Sequence, residues 1–136
     1  MTNRFVENAH VTEAGYDAWD VLVKNKSPDE RIVLITEISN IHTSKEGVHV
    51  FLSVLMDSHT RSKAHVYISA GKCQWLFGDK LSSIDSDDAL EKVRANFVGF
   101  VIEYNLEEQE VQLPLERPPK NITEIFDQWK PGDSIL

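Results

Sequence analysis

Residues 47–70 constrain the fold more than any other stretch. Val48, Val50, Leu52, Val54 and Met56 alternate with polar or aromatic residues, and Val66, Ile68 and Ala70 do the same after DSHTRSK. A period of two over two adjacent runs is the signature of a β-hairpin with one buried face. With the turn centred on Thr60, Leu55 lies opposite His65, Ser53 opposite Tyr67 and Phe51 opposite Ser69. His49 then faces Gly71, about six residues or ~20 Å from His65 at the strand rise. Two ligands of one zinc ion must both lie within ~2.1 Å of it. This register therefore predicts no metal site, although the hairpin region carries three of the five histidines.

The flanking sequence supplies further elements. Tyr16, Trp19, Leu22 and Val23 share a helical face behind Thr12 as N-cap, although Trp19, Val21 and Val23 also alternate as a strand would. Helix is the reading adopted for 12–24. SPDE (27–30) reads as a turn before a strand at 31–38, where five of eight residues are β-branched. Ile32, Leu34 and Ile38 are expected on one side, Val33 and Ile35 on the other, as in a central strand. SKEG (44–47) reads as a turn in which Gly47 supplies a positive φ. CQWLF reads as a short strand. Asp85-Ser86-Asp87-Asp88 opens a helix whose Leu90, Val93 and Phe97 share a face. VGFVIEYNL is a strand, NLEEQE a turn and VQLPL an edge strand. Ile122, Ile125, Phe126 and Trp129 mark a last amphipathic helix, capped by Asn121 and stopped by Pro131-Gly132.

This order predicts an α+β fold: one antiparallel, meander-like sheet of five to six strands with two or three helices on one face. A length of 136 residues suits one domain with its own core, residues 1–11 being loose. With one cysteine and no apolar leader, a reducing, cytoplasmic location is expected. No apolar run approaches the ~20 residues of a membrane span.

Recognised chemistry is sparse. AGKC lacks the other residues of a phosphate loop: Val66 stands where its first glycine belongs, and Cys73 where a Ser/Thr belongs. His42-x-Ser44 has no second His-x-Ser/Thr unit. Cys73, in GKCQW, reads as a buried inert thiol. The carboxylates, from Asp85 through Glu103 to Glu110, show no apolar pocket that would tune them for acid–base work. No catalytic residue, metal ligand or cofactor is expected.

Charge is the positive signal. The net charge is −8; residues 1–78 carry 9 acids and 8 bases, residues 79–136 carry 13 acids and 6 bases. Such a chain is repelled by phosphate backbones and suits a basic protein partner. The expected function is a non-enzymatic inhibitor or immunity protein that neutralises a basic toxin or nuclease. Asp87, Asp88, Glu91, Glu107, Glu108 and Glu110 would form its contact surface, with Tyr104 and Trp129 as anchors. Uncovered, the hairpin face with Phe51, Leu55 and Tyr67 would be a contact patch. At the level of element order alone, the chain resembles the small acidic chaperones of bacterial secretion systems. That resemblance implies a homodimer that binds an apolar segment. The remaining alternative is a small hydrolase using His49 or His65 as base.

Overall fold

A computed structural model describes residues 4–7, 9–103 and 119–135. The elements are β1 (Val6–Glu7), β2 (His10–Val11), α1 (Glu13–Asn25), β3 (Ile32–Thr43), β4 (Gly47–Met56) and β5 (Arg61–Ser69). They continue with α2 (Gln74–Phe77), α3 (Ser86–Phe97), β6 (Phe100–Glu103), β7 (Lys120–Asn121) and α4 (Ile122–Gln128). The fold is α+β, as expected. A five-stranded antiparallel sheet has the order β5-β4-β3-β6-β7, and β1-β2 form a separate two-stranded ladder.

The helix starts follow the capping chemistry. Thr12 Oγ1 accepts from Gly15 N, Asp85 from Asp87 N and Asn121 from Thr123 N. Each supplies an acceptor to a helix-start N–H that has no carbonyl partner within the helix. Trp19 and Leu22 of α1, Val93 and Phe97 of α3, and Ile122 and Ile125 of α4 are buried, so each apolar stripe faces the interior.

One sheet face carries Ile35, Ile38, Val50, Leu52, Val54, Val66 and Ile68, all buried, and packs under Phe97 of α3. Helical cover is not restricted to that face. Leu34, Leu55 and Val101 are register neighbours on the other face and are also buried. There α1 is tied to the hairpin tip. The Arg61 guanidinium lies 5.4 Å from the Tyr16 ring centre, His59 Nε2 is 2.9 Å from Asp20 Oδ1, and Lys26 Nζ is 3.5 Å from Asp57 Oδ2.

Several local expectations are corrected. Residues 4–7 and 9–11 carry a short ladder: Val6 pairs with Val11, both are buried, and Phe5 meets the Phe126 ring edge-on. CQWLF is not a strand. Cys73, Leu76 and Phe77 are buried at i, i+3 and i+4, and the N–H groups of Leu76 and Phe77 donate to Cys73 O, which makes a helical turn. With that turn the α-helices among the described residues number four. Gly47 has no positive φ. It is glycine for lack of room, because a Cβ there would collide with Ile68 O and stand 2.8 Å from Tyr67 Oη.

Strand β3 is longer than expected, because it absorbs two register shifts, Ile35/Glu37 and Ile38/Asn40. The first, at Thr36, places Ile38 on the Ile35 face, not with Leu34. The second restores the original phase. The two shifts add up to two residues, so His42 and not Asn40 comes into register with His49. The expected turn NLEEQE and strand VQLPL, like Tyr104, fall outside the described residues.

Candidate functional site

The β4–β5 register decides what the hairpin can present. The connection is four residues, Asp57 to Thr60, closed by Met56 N to Thr60 O and His59 N to Met56 O. His59 takes a φ of 66°, the left-handed region that a tight turn requires. Strand β5 therefore begins at Arg61, opposite Leu55. His65 pairs with Phe51 and Tyr67 with His49, so the expected register was wrong by four positions in the partner strand. The shift is even, which leaves the core face unchanged and re-pairs every residue on the other face.

That other face becomes an ordered grid beyond the end that α1 covers. Successive rows across β3, β4 and β5 read Glu37–Ser53–Lys63, Asn40–Phe51–His65 and His42–His49–Tyr67. All nine are exposed or half-buried, and Phe51 is 41% exposed. The Phe51 and His65 rings lie 4.8 Å apart and nearly parallel; those of His49 and Tyr67 are 4.7 Å apart. Tyr67 Oη donates to Glu46 O at 3.0 Å, which fixes that end of the row.

The histidines expected to stand ~20 Å apart are in contact: His49 Nδ1 and His65 Nε2 are 2.7 Å apart. Their planes differ by 14° and their centroids are 4.9 Å apart. Face-to-face contact would hold the rings about 3.5 Å apart. The short N···N distance therefore means that the rings meet edge to edge, one nitrogen donating to the other. Sequence reasoning missed this pair because no glycine marks the turn; the positive φ falls on His59.

The residues expected to bind a partner do not gather on this surface. Asp87, Asp88 and Glu91 are exposed on α3, which packs on the opposite sheet face. Asp88 and Glu91 share a shallow depression with Lys92 and Arg94 of the same helix, so its charge is mixed. Trp129 ends α4 in a separate depression, half-buried, and its Nε1 donates to Asp133 O at 2.9 Å. Tyr104, Glu107, Glu108 and Glu110 lie outside the described residues.

Cys73 is buried, and its Sγ donates to Ile68 O at 3.1 Å. Burial pushes the thiol up to about 11, against a smaller lowering by a backbone hydrogen bond from Val48. Such a thiol is a poor nucleophile at neutral pH. The His59–Asp20 pair is a histidine–carboxylate contact, but both side chains are more than half exposed. Among the described residues, no three His, Cys, Asp or Glu side chains stand close enough to hold a metal ion as they are placed. No helix there is long and apolar enough to cross a membrane. Comparisons with protein-family models, curated proteins and solved structures find no match to this chain.

Proposed function

We propose that this chain is a non-enzymatic cytoplasmic protein that binds a basic protein partner, acting as its inhibitor. One observation carries the reading: a sheet face that no helix covers among the described residues presents Phe51, His65, His49 and Tyr67 as a contiguous aromatic cluster. Aromatic side chains held rigid by their neighbours give contact area at little cost in ordering entropy, and such residues dominate interface energies. The net charge of −8 supports the choice of a cationic partner. Since the α3 acids stand behind the sheet, their role is through the long-range field. They speed encounter, while the aromatic row makes the contact.

The test is capture from the source cell followed by binding kinetics on the captured protein. Phe51→Ala is expected to weaken binding at least about thirtyfold, chiefly by faster dissociation, as for a central anchor of about 2 kcal/mol. Replacing Asp87, Asp88 and Glu91 by their amides is expected to slow association, with dissociation unchanged. An acidic partner, or a basic one indifferent to Phe51→Ala, contradicts the proposal.

A further inference from the structure

The hairpin register brings together donors that the sequence had seemed to separate. We infer that His49 and His65, with His42 closing from β3, form a binding site for a transition-metal ion of the zinc class. The inference rests on the hairpin register and is independent of the protein-binding reading.

His49 Nδ1 and His65 Nε2 already point at each other across 2.7 Å, edge to edge. Two imidazole nitrogens on one tetrahedral ion, each ~2.0–2.1 Å from it, stand about 3.3 Å apart. The pair needs to open by about 0.6 Å, and each ring to turn by about 35° so that both lone pairs converge, for a tetrahedral ion to replace the shared proton. Phe51 beside His65 and Tyr67 beside His49 confine the two rings and hold them near that geometry.

The third donor is in reach. His42 is the register partner of His49, it is exposed, and its ring centre is 6.3 Å from that of His49. Cross-strand partners have Cβ atoms about 5 Å apart. A rotamer change of an exposed side chain therefore brings His42 to the ion without moving the backbone. Three imidazoles and a water form a tetrahedral set typical of zinc, and imidazole donors also suit copper and nickel. The sheet fixes the spacing of all three strands, and the protein's net charge of −8 favours a divalent cation.

The experiment is titration of the full chain with zinc chloride alone. Calorimetry gives stoichiometry and affinity, and NMR of the histidine side chains locates the ion. One ion per chain is expected, with the resonances of His42, His49 and His65 shifting and those of His10 and His59 unmoved. His49→Gln and His65→Gln are each expected to weaken binding at least about tenfold, and so is His42→Gln. Far-UV circular dichroism of the variants keeps loss of fold separate from loss of a ligand. No saturable binding, or binding that survives His49→Gln/His65→Gln or follows Cys73, overturns the site. Full affinity in His42→Gln overturns the assignment of the third ligand.

Discussion

Replacing Gly99 with alanine puts a methyl group where Val6 already stands. Gly99 joins α3 to β6 with φ of +86°, donates to Ile35 O at 2.8 Å and accepts from Ile122 N at 2.8 Å. Both hydrogen bonds hold the backbone in place. A Cβ would overlap Val6 Cγ2 and stand 3.1 Å from both Val6 Cβ and Cγ1, so rotating Val6 gives no relief. The left-handed conformation costs a non-glycine residue about 1–2 kcal/mol. Displacing β1 forfeits much of the burial of Val6, about 2 kcal/mol more. Gly99→Ala should therefore cost about 3–4 kcal/mol in urea unfolding, the sum of those two effects. In a Val6→Ala background the overlapping methyl is gone, and the same change should cost only about 1–2 kcal/mol. The double-mutant cycle should show a coupling of about 2 kcal/mol, the part of the cost that comes from Val6. Equal costs in the two backgrounds would refute the packing of the amino-terminal ladder on Gly99.

Two further outcomes follow from buried and exposed polar groups. With its thiol raised from 9.0 to about 11, Cys73 should react with a thiol reagent at pH 8 about a hundredfold more slowly in the folded than in the unfolded chain. The fold favours the neutral thiol. The corresponding stability is therefore complete below pH 9 and lost as pH rises toward 11, a decline that should be much reduced in Cys73→Ala. Lys26 and Asp57 pair with side chains only 11% and 18% exposed, whereas Asp20 and His59 are more than half exposed. Asp57→Ala should cost about 1–2 kcal/mol by urea unfolding, because the Lys26 ammonium, still donating to Glu30 O at 2.7 Å, loses its counter-charge. Asp20→Ala should cost at most about 0.5 kcal/mol; equal costs would contradict the difference in burial.

The sequence carried the element types where side chains act locally. Thr12, Asp85 and Asn121 announce their helices because a cap needs only neighbouring backbone N–H groups. The alternation in β4 and β5 located the hairpin and its core face. Pairing was harder to read, because register depends on the turn, and here a histidine, not a glycine, takes the positive φ. The same limit applies to β3, where two successive one-residue shifts bring His42 beside His49 and neither Thr36 nor Ser39 marks a bulge in advance. At CQWLF a short apolar run fitted either period until Cys73, Leu76 and Phe77 proved to share a buried face. The aromatic residues of the open face were visible, but their assembly into a row was not. The charge imbalance was legible as a total, while its distribution is tertiary: Asp88 and Glu91 share their depression with Lys92 and Arg94.

Both functional readings depend on the hairpin register, and nuclear Overhauser contacts between aromatic side chains measure it directly. Ring protons of His65 should show strong contacts with those of Phe51 and His49, and His49 with Tyr67. Contacts from His65 to Leu55, with His49 near Gly71 and distant from both His65 and Tyr67, would contradict the account.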